Sequence, residues 1–188
     1  SITSQTNIAC FGNCDGQVQL IASGGTTPYS YYTQNLIQQS NSTLNGLCAG
    51  THTVYVEDAN HCQYGMTTYI TQPASNLIAI ISSTNANCGQ SDGAICLNVS
   101  GGSGVYNTFW SNGPTTFCNN NIPGGAYTYT VIDLNGCSIT STKILNTTSG
   151  PTVSIASQTN VSCFGGVDGI ATTTVSGGIA PYIYSWSN

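Results

Sequence analysis

Charge is what this sequence has least of: its 188 residues include one basic and six acidic side chains, about 4% charged, where an ordinary soluble domain carries roughly 25%. There is no Arg. A single Lys leaves no basic footprint for a phosphate backbone, so nucleic acid is not expected as a partner. Helix formers are scarce too, with Lys143, Glu57 and Met66 each the single residue of its type. No window repeats apolar residues at a 3.6-residue period between caps, so helices are not expected. No run approaches 18 apolar residues, and SITSQTN at the N-terminus has no charged region leading into an apolar one. A membrane span and a signal peptide are therefore both missing from this stretch, and any export signal or anchor is expected outside it.

What fills the chain instead is Ser, Thr, Asn, Gln and Tyr, with β-branched and aromatic stretches such as TTYITQ and TYTVID that suit pleated, half-buried strands. Nine cysteines with almost no lysine read as a chain made for an oxidising compartment, outside the cell. Sequons at Asn41, Asn98, Asn146 and Asn160 add little in a sequence so rich in Asn, Ser and Thr.

Self-similarity organises everything else. CFGNCDG from Cys10 recurs as CGQSDG from Cys88 and CFGGVDG from Cys163, placing Asp15, Asp92 and Asp168 before glycine at spacings of 77 and 76. Ser-Gly-Gly follows at 23, 100 and 176, then Tyr29, Tyr106 and Tyr182. Gly50, His52, Asp58 and Cys62 return 75 residues later as Gly125, Tyr127, Asp133 and Cys137. Residues 1–35 laid on 154–188 without a gap match at 18 of 35 positions, so the third copy is closer to the first than to the second. An alternating pair of domains and two less diverged sisters explain this equally well. Boundaries are expected near Pro73 and Pro151, giving repeats at 1–74 and 75–151 and a partial third at 152–188. With no long linker, such units should stack into a semi-rigid rod.

Alternation marks the strands. Val18, Leu20 and Ala22 share a face, as do Ile95, Leu97 and Val99, while Gln19 and Asn98 point away. His52, Val54 and Val56 match Tyr127, Tyr129 and Val131, and Tyr182, Tyr184 and Trp186 form a third set. The expected fold is all-β: tandem immunoglobulin-like antiparallel β-sandwich repeats stapled by disulfides. A tyrosine two residues after glycine at the start of the penultimate strand is the arrangement of a tyrosine corner. Sandwiches this small bury only about 60–65% of their unfolded surface, so staples matter. The recurring positions favour Cys10 with Cys62 and Cys88 with Cys137, first strand to last; Cys14 with Cys48 and Cys96 with Cys118 then follow by elimination. Four cysteines per domain allow three connectivities, which sequence alone leaves open. Cys163 is unpaired, its partner expected past Asn188.

The pattern N-V-X-C-F-G-X-X-D-G, then S-G-G-X-X-P-Y-X-Y-X-W-S-N, then G-X-Y-X-V-X-V-X-D-X-X-G-C resembles the SprB-type repeat of Bacteroidetes surface adhesins. The third copy follows its first half almost throughout. Departures are Thr33 where Trp110 and Trp186 stand, His52 for the tyrosine, His61 for the glycine before the cysteine, and CGQSDG without its phenylalanine. The resemblance implies a very long protein, exported by the type IX system and used in adhesion and gliding at the bacterial cell surface.

Candidate chemistry is weighed by comparing copies. His52 is replaced by Tyr127, His61 by Gly136 and Glu57 by Ile132, so no triad or carboxylate pair recurs and an enzyme is not expected. Asp15 with Asp58, and Asp92 with Asp133, would sit at one end of each domain if first and last strands were stapled, and could bind calcium with loop carbonyls. The plainer reading is turn formation, since calcium wants more oxygens than two. Tyr31, Tyr32, Trp110 and Trp186 are either a sugar-stacking platform or, more simply, core. Three roles remain: an adhesive stalk, a self-assembling extracellular filament subunit completed by strand exchange with a neighbour, and a carbohydrate-binding module. The partners expected are neighbouring repeats, copies of the same protein, or surface glycans.

Overall fold

A computed structural model describes residues 1–35 and 38–187; Asn188, the last residue of the third copy's motif, lies outside them. Every regular element among the described residues is a β-strand. The chain's contacts fall into two compact units. One comprises Ser1–Ile80, Asn98–Phe109 and Tyr129–Ser141; the other comprises Ile81–Leu97, Trp110–Thr128 and Thr142–Asn188.

The first copy lies wholly in the first unit and has six strands: β1 (Ile2–Thr6), β2 (Gly16–Leu20), β3 (Ser30–Thr33), β4 (Thr43–Leu47), β5 (Gly50–Glu57) and β6 (Gln63–Ile70). They form two three-stranded antiparallel sheets, ordered β1-β2-β4 and β3-β5-β6. The period-2 pattern of GQVQL decides which face of β2 turns inward, with Val18 and Leu20 buried and both glutamines exposed. These two join Leu44 and Leu47 of β4, and they meet Tyr31, Val54 and Ile70 from the other sheet in one cluster. Each such side chain contributes about 1.5–3 kcal/mol on leaving water. Two sheets sharing one apolar core, with strands one, two and four on one side and three, five and six on the other, are an immunoglobulin-like sandwich.

Strand direction fixes what lies at each end. β4 and β2 are antiparallel, as are β3 and β5. The chain therefore runs the same way in β3 and β4, and the segment between them crosses from one end of the sandwich to the other. The β1–β2 loop consequently shares an end with the tail of β6: Ile8 N–H donates to Thr71 O at 2.9 Å and Gly12 N–H to Gln72 Oε1 at 2.9 Å. The β5–β6 turn sits at the opposite end with the β2–β3 loop, where Ala59 N–H donates to Thr26 O at 2.9 Å.

The second copy repeats the order with β7 (Ile78–Thr84), β8 (Gly93–Ser100), β9 (Asn107–Trp110), β10 (Cys118–Ile122), β11 (Gly125–Ile132) and β12 (Ser138–Leu145), in sheets β7-β8-β10 and β9-β11-β12. Ile95, Leu97, Trp110, Tyr127, Tyr129 and Val131 are buried. The third copy is an antiparallel hairpin of β13 (Thr152–Thr159) and β14 (Ile170–Ser176). No second sheet covers this hairpin among the described residues, so Val153, Ile155 and Ile170 are exposed.

Candidate functional site

The strongest polar constellation in the molecule is built around Asp58 and its counterpart Asp133. Asp58 opens the β5–β6 turn and is buried. Its Oδ1 accepts the N–H groups of Asn60 and Cys62, each at 2.9 Å, and its Oδ2 accepts that of Thr26 at 3.0 Å. Asp133 takes the N–H groups of Asn135, Cys137 and Ser103, each at 2.9 Å. One carboxylate thus ties the turn to the neighbouring β2–β3 or β8–β9 loop. The amides of Thr26, Cys62 and Asn60 hold the Asp58 carboxyl below the usual carboxylate range. Glycine is required where the loop meets the carboxylate. Gly25 and Gly102 have φ of 72° and 59°, and a Cβ there would come within 2.7 and 2.4 Å of the aspartate Oδ2.

Two further hydrogen bonds recur. Tyr29, Tyr106 and Tyr182 each donate their hydroxyl to the carbonyl five residues earlier, on Gly24, Gly101 and Gly177, at 2.6 to 2.7 Å. Tyr127 donates to Pro123 O at 2.8 Å, closing the tyrosine corner. In the first copy His52 Nε2 lies 2.7 Å from Cys48 O, the same four-residue reach made by an imidazole. His52 departs from the family pattern in residue type and keeps its bond.

The cysteines require a correction. Cys10 is bonded not to Cys62 but to Cys137, and Cys88 is not bonded to Cys137; Cys62, Cys88 and Cys163 are exposed free thiols. Cys10 lies in the β1–β2 loop and Cys62 in the β5–β6 turn, at opposite ends of the sandwich, so an intradomain bond would have to run the length of the core. The same crossing separates Asp15 from Asp58, which therefore do not form a calcium-binding pair. Cys14 is joined to Cys48, and Cys96 to Cys118. The positions differ between copies: Cys96 and Cys118 are direct partners across the second and fourth strands, β8 and β10, whereas Cys14 stands just ahead of β2 and Cys48 just after β4.

The remaining candidates do local work. Asp15 is exposed. Asp92 accepts the backbone N–H of Asn87 at 2.7 Å and its Nδ2 at 2.6 Å, and Asp168 accepts Ser162 N–H at 3.0 Å; the Asn87 groups lower the pKa of Asp92, and the Ser162 hydroxyl and then its N–H lower that of Asp168. Among the described residues no three His, Cys, Asp or Glu side chains gather to hold one ion. Glu57 takes hydrogen bonds from His61 at 2.8 Å and Tyr32 at 3.1 Å, which hold its carboxyl below the usual range. That surface trio has no equivalent at Ile132 and Gly136. Of the aromatics, Tyr31 and Trp110 are core, Tyr32 stacks on Tyr55 with centroids 5.3 Å apart, and Trp186 is exposed beside the uncovered hairpin. The turn-forming role of Asp58 ahead of Cys62 is the plainer reading of the sequence, and the structure bears it out; the tie to the neighbouring loop was not read, its signal being the Gly-Gly thirty-odd residues earlier in both copies.

The recurring landmarks match a known family. The SprB repeat fits residues 2–35, 80–115 and 155–188, together more than half of the chain. The chain belongs to the SprB repeat family. Each SprB match spans the region of its copy's first two strands and runs past the recurring tyrosine, so the matched segments carry the Cys-bearing loop, the Asp-Gly pair and the Ser-Gly-Gly turn. No curated protein shows significant similarity to these SprB repeats. Among solved structures, the chain is similar to the C-terminal 282-residue fragment of intimin in complex with the translocated intimin receptor intimin-binding domain. The identity is 14% over 83% of this chain and 67% of that one, with a TM-score of 0.41.

Proposed function

We propose that this chain is a structural and adhesive segment of a long bacterial cell-surface adhesin, its repeats at 1–74, 75–151 and 152–188 serving as serial units of an extracellular stalk, exported by the type IX route. On this reading it is not an enzyme. One observation carries it: the polar groups that recur between copies, the Asp58 and Asp133 clamps and the His52 and Tyr127 corners, all bond to the repeat's own backbone. Groups that could do other chemistry, such as Glu57 with His61, are present in one copy and replaced in the next. A scaffold keeps its supports and lets its surface drift.

The test is made on cells carrying the full-length protein. Antibodies raised against this chain should label intact cells, and deleting residues 1–151 in frame should leave labelling of the remainder intact while reducing attachment. Label that appears only after lysis, or attachment unaffected by the deletion, refutes the proposal.

A further inference from the structure

The bond between Cys10 and Cys137 joins two repeats, at a different position in each. A cysteine in the loop between a repeat's first two strands meets a cysteine in the turn between another repeat's last two. The Cα atoms are 5.6 Å apart, within ordinary disulfide reach, and Asn135 Nδ2 donates to Ala9 O at 3.0 Å beside the bond. The linker joins the same contact, since Gly102 N–H donates to Ser75 O at 3.0 Å. The turn of one repeat is thus a socket, and the Cys-Phe-Gly loop of another is its plug.

The three free thiols fall into these two classes. Cys62 stands where Cys137 stands, 75 residues earlier, in a turn held by the same aspartate clamp. Cys88 and Cys163 stand where Cys10 stands, and Cys163 is followed by Phe164 and Gly165 just as Cys10 is by Phe11 and Gly12. Phe164 is fully exposed. At the socket position of the first repeat there is an open cavity of about 340 Å³, lined by Gly24, Gly25, Tyr29, Asp58, Cys62 and Tyr64 among others. The first repeat's Asn60, equivalent to Asn135, uses its Nδ2 on Thr26 Oγ1 at 2.9 Å.

We propose that the cavity at Cys62 is a docking site for the cysteine-bearing first loop of another SprB repeat, and that the docked pair is locked by a disulfide like that between Cys10 and Cys137. The chemistry is an oxidation: two thiols give up two protons and two electrons to a small-molecule disulfide, which leaves as two thiols. Cys88 and Cys163 are then plugs for the sockets of further repeats. This rests on reading the chain as an array of serial units, but it concerns which cysteines join, which attachment assays do not report.

The test uses the 188-residue chain, oxidised with glutathione disulfide, digested without reduction and mapped by mass spectrometry. The monomer should contain Cys10 bonded to Cys137, with Cys62, Cys88 and Cys163 open to alkylation. Oxidation should then yield oligomers in which Cys62 of one copy is bonded to Cys163 or Cys88 of another, and Cys62→Ser should reduce them at least tenfold while leaving the Cys10 to Cys137 bond in place. Finding Cys10 bonded to Cys62, oligomers joined Cys62 to Cys62, or oligomers undiminished by Cys62→Ser overturns the proposal. So does a chain that stays monomeric with all three thiols free.

Discussion

Replacing Asp133 by alanine removes one side chain but strands three donors. The N–H groups of Ser103, Asn135 and Cys137 now end on its carboxylate, and none has another acceptor waiting in the turn. A buried donor left without a partner costs about 1–3 kcal/mol. The aspartate is 3% exposed, but Ser103, Asn135 and Cys137 are themselves within reach of water. The lower end of that range therefore applies, about 1 kcal/mol for each donor and about 3 kcal/mol in all. For a cooperative unit of 60–100 residues each kcal/mol shifts the melting temperature by about 4–8 °C. Calorimetry with the disulfides intact should thus show a transition lowered by about 12–24 °C. Asp133→Asn should fall in between, because one oxygen still serves Asn135 and Cys137 while its NH2 faces the Ser103 donor. A drop of less than about 4 °C for the alanine variant would mean that water replaces the carboxylate, and the clamp would be incidental. Adding a chelator should not move the unmodified protein's melting temperature; if it did, the carboxylate would be serving a cation instead of three amides.

Acid should undo the same clamp in the first repeat. The folded Asp58 carboxyl titrates below its unfolded value of about 3.9, so its contribution is complete above that pH and disappears as pH falls through the folded value. Asp92 and Asp168 act in the same direction. Urea titrations should give level stability between about pH 5 and 8 and a steep loss below about 4. Tyr127→Phe removes the bond to Pro123 and should cost about 1 kcal/mol, whereas His52→Tyr should be nearly neutral in the same denaturation assay, because both side chains reach the carbonyl four residues back. Leu44→Ala empties a fully buried site in the first core and should cost about 2–5 kcal/mol, read from the urea midpoint.

Much of the sandwich was legible before any coordinates. Val18 and Leu20 announce their face by alternation, Gly-X-Tyr announces the corner, and the spacing of Asp-Gly pairs announces the repeat. The bonds of Cys14 with Cys48 and Cys96 with Cys118 were legible too; the partners of Cys10 and Cys137 were not, and the reason is topological. In a simple up-and-down meander, the loops after the first and fifth strands lie at one end, and Cys10 and Cys62 would be neighbours. The crossing between β3 and β4 reverses that parity, yet it leaves no mark in the sequence beyond a polar stretch of ordinary composition. Equivalence between copies says which positions correspond; it does not say which of them meet. The calcium pairing of Asp15 with Asp58 failed for the same reason. Trp186 is exposed where Trp110 is buried because a core position needs the second sheet, which the third copy's hairpin does not have among the described residues.

The bond between Cys10 and Cys137 also changes how the chain bears tension. A pull applied at the two ends enters through β1, passes across the sulfur atoms, and leaves through β12, without loading the 127 residues of sequence separation that the bond encloses. At about 3.3–3.6 Å per residue, that is some 420–460 Å of slack that force alone cannot draw out. Under load such a segment stays short while its surroundings are oxidising, and it lengthens abruptly once a reductant cleaves the bond.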